Sequence, residues 1–319
     1  MIDFRYHVVS IVAVFLALAL GLFIGATTLR GTVRGDITTR TEAVAHSNGV
    51  LRGQVSGLNK QLKAAQSVDN ALMPYAVQGR LAGQSVVVVS APGIDSSIRS
   101  NVLKALALAG ATVAADVRLQ DQLLDPQQEQ FVGSLADQVA IASRPLPNAS
   151  GSVRAMSVLA DALVTNPQLK PVSRTSAARV LSAFAAGNLL SVSGDVTQPG
   201  SVAILLAPPA PAPTAGTSAS PSPSPSTSSL LTSLARDLDT KSTGTVVAGP
   251  QTSDQSGGLV DAIRSDKTLR GLVSTVDDAD LPSGVIATVL ALAEQSSGQA
   301  GSYGIGPGKD APVPVPSPS

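Results

Sequence analysis

Hydrophobic positions follow three successive patterns along the chain, and each predicts a different kind of element. From Val8 to Ala26 the run VVSIVAVFLALALGLFIGA carries a single polar side chain, Ser10. As a helix it reaches roughly 30 Å, the thickness of a bilayer's hydrocarbon. Asp3 and Arg5 lie on one flank, Arg30 and Arg34 on the other. A cleaved signal peptide is the alternative, but cleavage after Ala26 would put Ile24 where a small residue is needed. The run is therefore read as an uncleaved anchor, residues 1–30. Ala13, Ala17, Gly21 and Gly25 recur every four residues on one helix face, and Gly21–Gly25 forms a GxxxG pair that lets two backbones approach closely.

The second pattern has a period of seven. After a joint at Gly31 and Gly35, Ile37, Val44, Leu51, Leu58, Ala65 and Leu72 recur at heptad spacing. With these at d, Thr41, Asn48, Val55, Leu62 and Asp69 fall at a. This predicts a helical coiled-coil stem over residues 31–75, its seam formed by Ile37, Val44, Asn48, Leu51, Val55, Leu58 and Leu62. An Asn at a favours a parallel, in-register pair, so the small-residue face and the seam together predict a parallel homodimer. Arg30, Arg34, Arg40, Arg52, Lys60 and Lys63 outnumber Asp36 and Glu42 here, a basic collar suited to anionic headgroups.

Beyond Pro74 strand and helix signals alternate. Continuous apolar runs at Val86–Val89, Ala111–Val117, Val202–Ala207, Thr245–Ala248 and Leu272–Val276 predict buried strands, with Leu189–Val192 as a short edge strand. Helical stretches lie at Ser96–Ala109, from the Asp125–Pro126 cap, near Val153–Val164 and Ala177–Ala186, and around Leu230–Leu238, Gly258–Arg264 and Gly284–Glu294. Strand–helix alternation with unbroken apolar strands predicts a parallel sheet covered on both faces, a three-layer flavodoxin-like α/β domain over residues 76–300. Its strand order is left open. Pro/Ser/Ala-rich residues 208–228 read as a disordered insertion after the third strand, and residues 301–319 as a flexible tail.

Composition narrows the chemistry. The 319 residues hold 22 Lys+Arg and 22 Asp+Glu, only 3% aromatics and no cysteine. Thiolate chemistry and disulfides are excluded, and the charge balance gives no sign of nucleic-acid binding. The only histidines are His7 and His46, the only methionines Met1, Met73 and Met156, and they are far apart in sequence. No GxSxG, HExxH or strand-borne GxGxxG occurs, and no histidine lies in the α/β region, so no enzyme, catalytic residue or cofactor is expected. At the carboxyl ends of the predicted strands lie Ser90-Ala91-Pro92-Gly93, Asp95, Asp116 and the cluster Asp277, Asp278 and Asp280. Those three carboxylates are candidates for a hard cation; the competing reading has Asp280 capping the last helix. Gly301–Lys309 resembles a phosphate loop but has Tyr303 where glycine is needed and Asp310 after the lysine.

The opening MIDFRYHVVSIVAVFLALALGLFIGATTLRG, with GRLAGQSVVVVSAPG, GATV, STVDDADLPSGVIATVLALAEQ and GSYGIGPGKDAPVPVP, resembles the actinobacterial copper-transporter family typified by mycobacterial copper transport protein B. The likeness touches almost the whole chain. It implies a role in copper homeostasis, by efflux or an outer-membrane pore, with copper as the transported ion and the α/β domain exported. One apolar span cannot enclose a path alone, so conduction would need an oligomer or a partner. The rival reading is a non-transporting envelope scaffold or interaction module. Expected partners are membrane lipid, a second copy of the chain and other envelope proteins. The Pro/Ser/Ala segment, the absence of cysteine and the resemblance favour a cytoplasmic N-terminus with the domain outside; the basic stem argues the other way.

Overall fold

The computed structural model describes residues 4–194, 198–212 and 226–314, with the side chains of residues 4, 5 and 27–44 outside that description. The expected insertion thus falls mostly on residues 213–225, outside the described residues. The chain divides into two compact units, Met1–Ala65 and Gln66–Ser319.

Residues 4–65 of the first unit belong to helix α1 (Phe4–Val77). The helix runs through Gly31 and Gly35, where a joint was expected, because glycine only lowers helix propensity and breaks no hydrogen bond. Tyr6–Ala26 has a mean hydropathy of 2.8 and none of it is buried. Leu51, Val55, Leu58 and Leu62 are exposed as well, as is Asn48. Ile37 and Val44 fall among the undescribed side chains.

The second unit is a mixed α/β domain. Its strands are β1 (Ser85–Ser90), β2 (Thr112–Leu119), β3 (Leu190–Ser193), β4 (Val202–Leu206), β5 (Thr245–Ala248), β6 (Ser274–Val276) and β7 (Ser302–Tyr303). They form one seven-stranded sheet in the order β3-β2-β1-β4-β5-β6-β7. Every pairing is parallel except that of edge strand β3 with β2. The helices are α2 (Ser96–Leu108), α3 (Asp121–Leu124), α4 (Glu129–Val139), α5 (Gly151–Leu163), α6 (Arg174–Ala186), α7 (Thr227–Lys241), α8 (Leu259–Ser265) and α9 (Pro282–Gln295). Asp125 caps as expected, accepting from the Gln127 N–H at 2.9 Å, but it opens a 3₁₀ turn that precedes α4.

The apolar run of β1 explains why the sheet needs cover on both faces. Successive side chains point to opposite faces, so Val87 and Val89 join one core while Val86 and Val88 join the other. The first core receives α4, α5, α6, α7 and α8; the second receives α2, α9 and the end of α1 through Val77. Strand β7 was not expected. Within residues 301–319, read as a flexible tail, Ser302 and Tyr303 add a strand to the sheet in register with Thr275 and Val276. Burial of Tyr303 in the second core supplies the anchor that the Gly/Pro-rich composition concealed.

Candidate functional site

The carboxyl ends of β5 and β6 hold a buried ionisable cluster organised by Arg264. This residue lies on α8 four positions after Val260 and one after Ile263, and is 9% exposed. Its Nε donates to Thr275 Oγ1 at 3.0 Å, Nη1 to Asp277 Oδ2 at 2.6 Å and to the Pro307 carbonyl at 3.0 Å, and Nη2 to the Tyr303 carbonyl at 2.7 Å. Asp254, from the 3₁₀ turn after β5, adds an ion pair at 3.0 Å. One guanidinium thus ties β6, β7 and the loop beyond it together.

Asp277 is fully buried, and its carboxylate also accepts the backbone N–H of Ile305 at 2.8 Å and of Gly306 at 3.0 Å. The glycine-rich loop that resembles a phosphate cradle therefore wraps a carboxylate of its own chain. Gly304 has φ +121°, and a Cβ there would strike Asp277; one on Gly306 would strike Asp254 and Asp277.

The three candidates for a hard cation have different surroundings. Asp277 is committed to Arg264 and the loop. Asp278 is buried, accepts from Ser283 Oγ at 3.2 Å, and leaves Oδ1 without a partner. Asp280 is exposed and does not cap α9, whose N-cap position is Leu281 with no side-chain cap. Burial, reinforced by the charge of Asp277, pushes the Asp278 carboxyl up to about 6. Burial also raises Asp254, against the pull of Arg264. Among the described residues no group of three or more His, Cys, Asp and Glu side chains could hold a metal ion. His7 and His46 are exposed on α1, whereas Met156 is fully buried in α5.

At the other end of the sheet, Asp95 accepts the Ser97 N–H at 2.7 Å and caps α2; this bond holds its carboxyl below the ordinary range. Asp116 on β2 pairs with Arg99 of α2 through both oxygens, the Nε contact at 2.8 Å. The turn Ser90–Gly93 lines a cleft beside this pair. Arg264 was missed as a site residue, although a charged side chain sharing a helix with buried Val260 and Ile263 signals a buried partner.

These features define an α/β protein with a parallel-dominated sheet and one N-terminal helix long and apolar enough to cross a membrane. Its fully buried Asp277 is spent on Arg264. The chain belongs to the MctB family, described as copper transport outer membrane protein, whose model matches residues 1–314. It is 28% identical to the copper transporter MctB of Mycobacterium tuberculosis (strain CDC 1551 / Oshkosh), over 97% of this chain and 98% of that protein. The copper transporter MctB of Mycobacterium bovis gives the same values, and that of Mycobacterium leprae is 27% identical over the same shares.

Proposed function

We propose that the protein is a membrane-anchored copper-homeostasis protein of the cell envelope that acts in copper efflux as a parallel dimer, with any conduction requiring that dimer or a partner. The observation that carries this reading is the family match across residues 1–314. It is supported by an unburied apolar stretch of 21 residues at Tyr6–Ala26. In this reading the N-terminus is cytoplasmic, the stem is a coiled coil and the domain lies outside. The order of the five strands first expected, β2-β1-β4-β5-β6, and helices on both faces favour a flavodoxin-like, three-layer arrangement. Reporter fusions after Lys63 test orientation: activity confined to the cytoplasm overturns it.

A second reading, a non-transporting envelope scaffold or interaction module, is favoured by the donor set. Copper as cargo calls for thiolate, thioether or imidazole ligands, and the chain has no cysteine and two histidines. Deleting the gene and measuring cell copper tests the phenotype. Copper flux into liposomes holding the purified protein tests conduction. Copper accumulation in the deletion strain with flux in liposomes supports the first reading; absence of flux favours the scaffold.

A further inference from the structure

The cleft at the carboxyl ends of β1 and β2 has features that the copper reading does not use. It encloses about 320 Å³, within the range of small-molecule sites. Ser90, Ser96, Arg99, Arg118 and Asp121 contribute to its walls. It also adjoins the turn from β1 into the 13-residue helix α2, outside the carboxyl ends of the strands and next to the β1/β4 switch point, the region where open α/β sheets hold ligands.

Two side chains there are unspent. Ser90 closes a strand of four valines, is 1% exposed, and its Oγ has no hydrogen-bond partner. Leaving a buried hydroxyl unsatisfied costs about 1–3 kcal/mol, and an aliphatic side chain there would incur no such cost. Arg118 is directly across the parallel pairing from Ser90 and is exposed, and its side chain makes no hydrogen bond or ion pair among the described residues. Strand alternation sets Ser90 and Arg118 on the α2 face with Asp116, because Val117 and Leu119 belong to the opposite core.

The surrounding charges are distributed unequally. Arg99 and Asp116 neutralise each other, and Asp95 is occupied in capping α2. Asp121 is exposed. What remains is a buried hydroxyl donor in the wall and, across the strand pairing from it, an exposed guanidinium that offers five N–H groups in a fork matched to oxyanions.

We propose that this cleft binds a small oxyanion, the phosphate or carboxylate group of a soluble ligand, with Arg118 as counter-charge and Ser90 Oγ–H as the buried donor. The site is independent of any copper path. It is formed within one chain, so it stands whether or not the stem dimerises.

The test uses the full chain in detergent micelles at constant ionic strength, with inorganic phosphate and acetate as separate probes. Binding is followed by broadening of the phosphate ³¹P signal and by saturation transfer to the acetate methyl group. Saturable binding of either probe is expected at one site per chain, and whichever probe binds identifies the group. Arg118→Gln should weaken it about tenfold or more, and Ser90→Ala about threefold. Arg174→Gln, at an exposed arginine on α6, should leave it unchanged. Because Ser90→Ala removes an unsatisfied hydroxyl, it should fold normally, so its loss of binding is not a loss of structure. No saturable binding of either probe overturns the proposal. So does a loss confined to Arg118→Gln, which would mark a surface cation without a buried donor.

Discussion

The backbone N–H of Gly306 donates to both carboxylate oxygens of Asp277, at 3.0 and 3.1 Å. A loop with little hydrophobic content is thereby held by a single buried acid, and Arg264 balances that acid's charge from α8. Asp277→Ala should lower the stability of the full chain by about 1–3 kcal/mol, because it leaves the loop N–H groups of Ile305 and Gly306 unpaired in a dry site while Arg264 keeps Asp254 as its counter-charge. Asp280→Ala, at an exposed position three residues on, should stay within about 0.5 kcal/mol. Denaturant midpoints in detergent compare the two.

Asp278 sets a dependence on pH. Its folded-state value of about 6 lies above the ordinary 3.8, so the folded chain holds this proton more tightly than the unfolded one. The sign follows from linkage: this group's contribution to stability is full below about 3.8, declines as pH rises, and is lost above about 6. Asp239, raised to about 6 by burial, acts in the same direction, so wild type must be compared with Asp278→Asn. The variant should show a shallower fall in stability between about pH 4 and 6. Equal slopes would mean that Asp278 does not titrate in that window.

The strands with long apolar runs were legible because a strand buried on both faces has few polar positions, as β1 and β4 illustrate. β7 was not legible. It has two residues, and its order depends on Tyr303 entering a core built by distant segments and on hydrogen bonds from Arg264. Asp277 was singled out by its acidic neighbours, and a carboxylate's partner 13 residues upstream leaves no local pattern. The strand order, too, depends on which faces the helices cover, which periodicity within one element does not encode.

The contact between α4 and α5 depends on two glycines. A Cβ on Gly133 would lie 2.7 Å from the Gly151 Cα, so the backbones touch where any side chain would separate them. Gly133→Ala should cost about 1–3 kcal/mol through overpacking. Ser134→Ala, on the exposed side of the same helix, should be nearly neutral. Thermal unfolding followed by circular dichroism distinguishes them.

Copper titration bears on the donor set. With no cysteine in the chain and no histidine after His46, Cu(I) added to the detergent-solubilised protein under reducing conditions should find no tight stoichiometric site. One-to-one binding in the submicromolar range would refute this and would point to ligation by His7, His46, methionine or carboxylate. Weak, non-saturating uptake fits the expectation.

The parallel dimer can be tested without disturbing any other thiol, since the chain has none. In a heptad register with Leu51, Leu58 and Leu72 at d, Gly53 falls at f, on the outside of the pair. Leu51 and Leu58 are 57% and 64% exposed in the single chain, so a partner helix would remove substantial apolar surface from water. The small-residue face at Ala13, Ala17, Gly21 and Gly25 would add an independent contact. Tethering two weak contacts in one chain makes each raise the effective concentration of the other. Leu51→Cys should therefore form a disulfide-linked dimer readily under mild oxidation in membranes, because facing d positions bring the two sulfurs within bonding reach. Gly53→Cys should crosslink far more slowly. Equal crosslinking at the two positions would show that residues 48–62 form no seam, and the stem would then serve only to space the domain from the bilayer.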